Sequence, residues 1–194
     1  MSQLCQRLLA TMLLLGSMCA FTVVSASAAP AQPDTWRPLG AIPTTPASPL
    51  EALAVDPANS QALVAGTESG EIYRSTDGGL HWVRAARHLG KAVTTLVFDP
   101  SRSDALYAGS THGVWVSHDG GVSWQAIAST ADDSIRAIAV GQGVLAAATQ
   151  QGVLLSRDGD TWAPAGLRGV DVSALVIVSG GDAPQIVAGG DGER

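Results

Sequence analysis

Three short stretches of the chain share one pattern: STDGGLHW at residues 75–82, SHDGGVSW at 117–124 and SRDGDTW at 156–162. In each, a serine is followed two residues later by an aspartate, then by glycine, and the stretch ends in tryptophan. Asp-Gly is a strong signal for a tight hairpin turn, because glycine adopts positive φ angles at little cost. The stretches therefore predict three turns of one kind.

Longer segments repeat around these turns with a period of about 40 residues. AVDP at 54–57 returns as VFDP at 97–100, and AGT at 65–67 returns as AGS at 108–110. Each repeat contains four short strand-like runs bounded by turn residues. In the first repeat we expect these runs near residues 50–55, 61–66, 70–75 and 81–85.

Four antiparallel strands per repeat predict an all-β fold, a β-propeller built from four-stranded blades. A β-sandwich is the alternative, but it does not explain why the turn chemistry recurs at a fixed spacing. We expect about three full blades plus a partial fourth, which makes an open or incomplete propeller. The predicted blades cover about residues 50–90, 91–130, 131–169 and 170–194.

The N-terminal 28 residues match a secretory signal peptide, with Arg7, a long apolar run and the small residues ASA at 26–28. This pattern predicts an exported protein, periplasmic or extracellular, that does not span a membrane after cleavage. Residues 29–49 form a segment before the repeats. Within it, DTWRPLG at 34–40 resembles DTWAPAG at 160–166 and predicts an outer strand at Trp36 that lacks the rest of its blade.

The strand count suggests how the ring closes. The fourth repeat supplies two strand-like runs, at 174–178 and 185–190, which brings the expected total to 15 strands. Propellers close by pairing their first and last strands in one blade. Two interpretations follow: the chain is a shortened form of a longer propeller, or two copies form a homodimer that completes a seven-bladed ring.

Composition excludes several function classes. The chain carries 11 basic and 17 acidic residues, and beyond residue 28 Lys91 is its single lysine. An acidic chain without a stripe of cations is not expected to bind nucleic acid. Both cysteines, Cys5 and Cys19, lie in the predicted signal peptide, so disulfide and thiolate chemistry is not expected in the exported part.

The repeated turn residues are interpreted as structural. Each aspartate is placed to accept hydrogen bonds from the turn backbone and from the serine, while the tryptophan covers the turn. Turns in successive blades lie too far apart for paired-carboxylate chemistry, and their spacing is not that of a calcium loop. No metal or cofactor is predicted. The structural residues are Ser75, Asp77, Gly79, Trp82, Ser117, Asp119, Gly121, Trp124, Ser156, Asp158 and Trp162.

The pattern S-x-D-x-G-x-x-W resembles the Asp-box of the bacterial neuraminidase (BNR) type of repeat. The longer stretch AVDPANSQALVAGTESGEIYRSTDGGLHW, residues 54–82, resembles repeats of the photosystem II stability/assembly factor family. Similar repeats occur in sortilin-type receptors and xyloglucanases. The resemblance implies a propeller that binds proteins and helps an extracytoplasmic or membrane complex to assemble.

An enzymatic function is not expected from the sequence. Sialidases with such repeats use an arginine cluster and a tyrosine–glutamate pair, whereas Tyr73 and Tyr107 lie in different blades and no glutamate pairs with either by repeat position. The four histidines are scattered without metal spacing. The alternative function is that of a sialidase- or xyloglucanase-like fragment that binds or cleaves glycans.

Binding by propellers commonly uses the connectors between blades and the turns between second and third strands. Several cations of this acidic chain lie at or beside the connectors and could form a basic patch for a protein partner. The alternative is that they are ordinary solvated charges. The candidate partner-binding residues are Arg84, Arg87, His88, Lys91, Arg136 and Arg168.

Overall fold

A computed structural model describes residues 40–44, 48–178 and 183–191, except the side chain of Ser103. The predicted signal peptide and the predicted outer strand at Trp36 lie outside the described residues. The strands are β1 (Leu50–Val55), β2 (Leu63–Thr67), β3 (Ile72–Ser75), β4 (Val83–Ala86), β5 (Val93–Asp99), β6 (Arg102–Ser110), β7 (Gly113–Ser117), β8 (Gln125–Ala126), β9 (Ile135–Gly141), β10 (Val144–Thr149), β11 (Gly152–Ser156), β12 (Ala163–Gly166), β13 (Asp171–Val178) and β14 (Gln185–Asp191).

The strands form four antiparallel sheets in chain order. β1–β4, β5–β8 and β9–β12 are four-stranded sheets, and β13 pairs with β14 in a two-stranded sheet. The first strands of successive sheets, β1, β5, β9 and β13, contact one another in that order. Within the described ranges the one helical segment is a short 3-10 turn at Ala128–Thr130. The prediction of an all-β, incomplete propeller is confirmed.

The second strands of the first and third blades are completely buried. All five residues of β2 and all six of β10 are buried, because each of these strands has a hydrogen-bonded neighbour on both sides. β1 and β12, at the edges of their sheets, are mostly exposed. Apolar side chains alone do not produce this contrast. It comes from the position of each strand within the stack of blades.

The first hairpin shows why the start of β2 differs from the sequence expectation. β2 begins at Leu63 rather than at residue 61, because the backbone N–H of Asp56 donates to Ala62 O at 3.0 Å and so closes the loop before β2. The Asp56 carboxylate accepts a second bond, from the N–H of Ala58 at 2.8 Å. The Asp-Pro turn therefore includes the residues up to Ala62.

Successive blades pack so closely that glycine is required at the junction. A Cβ atom on Gly109 of β6 would lie 2.5 Å from Ile135 Cγ2 and 2.6 Å from Thr95 Cγ2. Gly66 of β2 packs in the same way against Val93. The repeated AGT and AGS stretches therefore mark the points where the inner strand of the next blade contacts the backbone.

Candidate functional site

The first box turn, residues 75–82, is held by hydrogen bonds that converge on Ser75 and Asp77. Ser75 Oγ donates to Asp77 Oδ1 at 2.8 Å and accepts from the N–H of Gly79 at 2.9 Å. Asp77 Oδ1 also accepts from the N–H of His81 at 2.9 Å. Trp82 Nε1 donates to Gly79 O at 3.0 Å, which fixes the indole over the turn.

The second box turn, residues 117–124, repeats this arrangement. Ser117 Oγ donates to Asp119 Oδ1 at 2.8 Å and accepts from Gly121 N–H at 2.9 Å. The Asp119 carboxylate receives two further bonds from Ser123, one from the N–H at 2.8 Å and one from the hydroxyl. Trp124 Nε1 donates to Gly121 O at 3.2 Å.

The third box turn, residues 156–162, is one residue shorter and uses Gly159, which the sequence interpretation did not include. Gly159 N–H donates to Ser156 Oγ at 2.9 Å, and its carbonyl accepts from Trp162 Nε1 at 3.1 Å. Gly159 lies three residues before the tryptophan, as Gly79 and Gly121 do. Counting back from the tryptophan rather than forward from the serine identifies it.

Hydrogen bonding lowers the pKa of all three box aspartates. The backbone N–H and side chain of His81, followed by Ser75, lower the pKa of Asp77 to about 2. The N–H of Thr161 is the main cause for Asp158, whose pKa is also about 2. Partial burial raises the pKa of Asp119, but the bonds from Ser123 and Ser117 outweigh it and bring the pKa to about 2.

These depressed pKa values predict an acid-sensitive fold. A carboxyl whose folded pKa lies below its ordinary value of 3.8 stabilises the protein above that value. The contribution is lost as the pH falls through 3.8 towards 2. We expect the melting temperature to drop over this interval more steeply in the parent chain than in a variant carrying Asp77→Asn, measured by thermal denaturation at a series of pH values. Parallel pH profiles would contradict the expectation.

The second and third box turns each receive an arginine from the blade before them. Arg74 Nε of β3 donates to Gly120 O at 2.8 Å, and Arg102 Nη1 of β6 donates to Asp158 O at 3.1 Å. The Tyr107 ring packs edge-on against Trp162, with ring centroids 6.4 Å apart. The second and third box turns are thus contact points between blades as well as local turns.

The structure corrects one statement about the tyrosines. The Tyr73 hydroxyl lies 3.1 Å from Glu71 Oε2 and 3.2 Å from Pro43 O, and Glu71 Oε1 lies 3.1 Å from Arg84 Nη1. A tyrosine–glutamate pair with an arginine therefore exists. Tyr73 is completely buried, and burial followed by the hydrogen bond to Glu71 raises the pKa of its phenol. The group attaches the segment around Pro43 to the first blade.

Two of the six candidate partner-binding residues form ion pairs, and four do not. Arg84 forms its ion pair with Glu71, and Arg136 Nη2 lies 2.8 Å from Asp171 Oδ2 on β13. The other four are exposed and make no ion pair within the described part of the chain. They are Arg87, His88, Lys91 and Arg168.

Three of these exposed cations, Arg87, His88 and Lys91, lie in the β4–β5 connector and are here named the connector cluster. The backbone between them is fixed, because Leu89 is buried and its N–H donates to Gly70 O at 2.9 Å. His88 adopts a φ of 64°, which reverses the chain so that its neighbour Leu89 faces inward. Arg168 lies two blades further along, in the β12–β13 connector.

Two histidines lie beside box-turn carboxylates. His81 Nδ1 is 2.6 Å from Asp77 Oδ2, and His118 Nε2 is 3.5 Å from Asp160 Oδ1. Among the residues that the structure describes, no group of three or more His, Cys, Asp or Glu side chains is placed to hold a metal ion. In the same residues, no helix has the length and hydropathy required to cross a membrane.

One carboxyl group that the sequence interpretation did not single out has a raised pKa. Burial, followed by the neighbouring Asp132 carboxylate, raises the pKa of Asp133 in the β8–β9 connector. The backbone of Asp133 is fixed, because its carbonyl accepts from Gly113 N–H at 2.8 Å. A carboxyl with a raised pKa on a connector can donate a proton at higher pH than an ordinary aspartate.

Comparisons with known proteins place this geometry among β-propellers. A xyloglucanase from Hypocrea jecorina (strain QM6a) is 34% identical over 90 residues, which cover 43% of this chain and 10% of the xyloglucanase. The crystal structure of an ancestral GH74 enzyme matches 76% of this chain and 24% of its own, with a TM-score of 0.62 and 22% identity. The structure of YCF48 bound to D1 peptide matches 81% of this chain and 53% of its own, with a TM-score of 0.59 and 15% identity. No family model matches the chain.

These comparisons correct the expectation that the chain is not an enzyme. The curated relative is a hydrolase, and solved GH74 enzymes share the fold, so repeats of this kind are found in glycoside hydrolases. The sequence expectation relied on the missing motifs of sialidases and on the scattered histidines, and neither excludes a GH74-like hydrolase. The chain spans about a tenth of the xyloglucanase it matches.

Proposed function

We infer that this chain is an exported Asp-box propeller that binds a protein partner through its connector face, as part of the assembly of an extracytoplasmic or membrane complex. The connector face consists of the β4–β5, β8–β9 and β12–β13 connectors with the adjoining turns after β2, β6 and β10. The observation that carries the proposal is the connector cluster. There the buried Leu89 fixes the backbone that bears the exposed cations, on a protein whose net charge is negative.

The connector cluster suits an acidic segment of a partner. A rigid backbone loses little conformational entropy on binding, so exposed charges on it contribute more than charges on a mobile loop. The whole chain has a net charge of −6, so an acidic segment is repelled by most of the surface and attracted by the connector cluster. Among the solved structures with this fold, YCF48 has been observed with a bound peptide.

A double substitution, Arg87→Ala with Lys91→Ala, tests the protein-binding proposal. Both side chains are exposed, so the free energy of unfolding should change by no more than about 0.5 kcal/mol. Crosslinking in the native host followed by mass spectrometry should recover a partner with the parent chain and much less of it with the variant. The matched control is Arg157→Ala, an exposed arginine in the third box turn. Unchanged recovery with the double variant would refute the role of the cluster.

Glycan binding or cleavage is the second candidate function, favoured by the 34% identity to a xyloglucanase. On the same face, Asp133 supplies a carboxyl with a raised pKa, the property required of a general acid. Isothermal titration of the parent chain with xyloglucan oligosaccharides, together with a reducing-end assay, separates the two candidates. Binding or turnover that Asp133→Asn lowers would favour the glycan function, and its absence alongside partner capture would favour protein binding.

A further inference from the structure

The turn after β6 packs against the β4–β5 connector that leads out of the blade before it. A Cβ atom on Gly90 of that connector would lie 3.0 Å from His112 Cβ, so the two chain segments are in close contact. The N–H of Thr111 also donates to Ala92 O at 3.2 Å. His112 is exposed. The structure therefore places a histidine of the second blade beside the connector cluster.

The backbone on both sides of this contact is held by hydrogen bonds. The N–H of His112 donates to Ser110 Oγ at 3.0 Å, and the buried Ser110 hydroxyl donates to Gly113 O at 3.2 Å. In the connector, the buried Leu89 donates its N–H to Gly70 O at 2.9 Å. The exposed side chains beside these bonds therefore stand on a fixed backbone, which limits the entropy lost when a partner binds.

The connector cluster and His112 form one surface across two complete blades, here named the two-blade basic surface. Its residues are Arg87, His88, Lys91 and His112, and all four are exposed. Arginine and lysine stay charged near neutral pH, whereas an imidazole gains its positive charge as the pH falls from about 8 to about 5. Half of the basic groups on this surface are therefore histidines, whose charge depends on pH.

Acidic groups lie on the elements that pack against the two-blade basic surface. The turn after β2 carries Glu68, which is exposed, and Glu71, which forms its ion pair with Arg84. The β8–β9 connector carries Asp132 and Asp133, and the carbonyl of Asp133 accepts a bond from the turn after β6. Burial, followed by the Asp132 carboxylate, raises the pKa of Asp133. Acidification therefore removes negative charge beside the surface while the histidines gain positive charge.

We propose that the two-blade basic surface binds an acidic segment of a partner protein, and binds it more tightly as the pH falls and the histidines gain charge. His88 and His112 are then partner-binding residues that respond to pH, whereas Arg87 and Lys91 supply the binding that remains at neutral pH. This inference rests on the proposed protein-binding function and adds its regulation. The contact between Thr111 Oγ1 and His112 Nδ1, 3.2 Å, permits both charge states, because a hydroxyl can donate or accept.

The direction of the effect follows from the groups that change charge. Aspartate and glutamate side chains of a partner segment remain ionised down to about pH 5.5, because their ordinary pKa values are about 4. The partner therefore keeps its negative charge while the two-blade basic surface becomes more positive. Each additional exposed ion pair contributes modestly, so two histidines together predict a dissociation constant roughly three- to tenfold lower at acidic pH.

A peptide of alternating aspartate and serine tests the proposal. The rhodamine-labelled peptide is titrated into the full 194-residue chain at about pH 7.5 and about pH 5.5, at equal ionic strength, and followed by fluorescence anisotropy. We expect saturable binding at both pH values, with a dissociation constant roughly three- to tenfold lower at the acidic one. A peptide of alternating asparagine and serine, which carries no side-chain charge, is the control and should bind at neither pH.

Three protein variants assign the pH dependence to these histidines. The double variant His88→Asn with His112→Gln should bind the acidic peptide at neutral pH as the parent does but lose most of the gain at acidic pH. Asparagine replaces His88 because it tolerates the φ of 64° at that position. His112→Lys, which keeps its charge, should bind more tightly than the parent at neutral pH and gain less on acidification. The matched control is His118→Gln, an exposed histidine in the second box turn, which should behave as the parent.

The outcomes separate this inference from the proposed function. No binding of the acidic peptide at either pH would refute both, because the surface then takes no acidic segment. Equal affinity at the two pH values, a pH dependence that survives in the double variant, or equal binding of the uncharged peptide would overturn the inference alone. Thermal denaturation at both pH values verifies that each chain is folded. If the double variant fails to fold, His112→Lys and the two peptides on the parent chain decide the outcome.

Discussion

Gly159→Ala is expected to destabilise the fold by about 2–5 kcal/mol. Gly159 adopts a φ of +89°, a region that costs a residue with a Cβ about 1–2 kcal/mol. Its Cβ would also overlap the hydroxyl of Tyr107, which is buried between the second and third blades and bonded to Arg102. Tyr107 therefore cannot move without breaking that bond and its contact with Trp162. Urea denaturation measures the change in the free energy of unfolding.

Gly143→Ala is the matched control for this prediction. Gly143 adopts a φ of +70° in the β9–β10 turn, and a Cβ atom there would meet no other atom within 4 Å. Its substitution carries only the cost of the backbone conformation, about 1–2 kcal/mol. The difference between the two variants then isolates the overlap at the blade junction. Equal losses in both would show that Tyr107 accommodates a methyl group, and that the junction is less tightly packed than the structure shows.

Asp119→Ala should have the second-largest effect, a loss of about 1–3 kcal/mol in the free energy of unfolding. The substitution removes the acceptor for Ser117 and for the backbone N–H groups of Val122 and Ser123. The turn that they form also carries Gly121, which packs close to Val64 of the first blade. Loss of the carboxylate should therefore loosen the junction as well as the turn, and thermal denaturation reports both.

Two comparisons separate a structural role of Asp119 from a metal-binding role. Asp132→Ala, at an exposed aspartate in the β8–β9 connector, should change stability by no more than about 0.5 kcal/mol. Addition of calcium to the parent chain should leave its melting temperature unchanged, because the acceptor positions of Asp119 are already used by protein donors. A clear rise in the melting temperature with calcium would contradict the structural role.

The sequence by itself determined the blade and its turn. Short strand-like runs between Asp-Pro, Gly and Asp-Gly predict four-stranded units, because these residues restrict the backbone locally and need no distant partner. The bond from Ser75 to Asp77 and the placement of Trp82 over the turn follow from the same spacing. Gly159 was missed because the third turn is one residue shorter, although its distance from Trp162 is that of the other two turns.

Only the tertiary structure decided which charged and polar side chains meet. The Tyr73 hydroxyl bonds both to Glu71 and to Pro43 O, a residue that lies before the first repeat, so spacing within the repeat cannot reveal this contact. Arg84 and Arg136 look like unpaired cations in the sequence, but in the structure they form ion pairs with Glu71 and Asp171. The side chains of the connector cluster stay exposed, while the buried Leu89 fixes the backbone between them. Local turns follow from the backbone preferences of a few residues, whereas ion pairs depend on how distant strands pack, and packing is set by the whole chain.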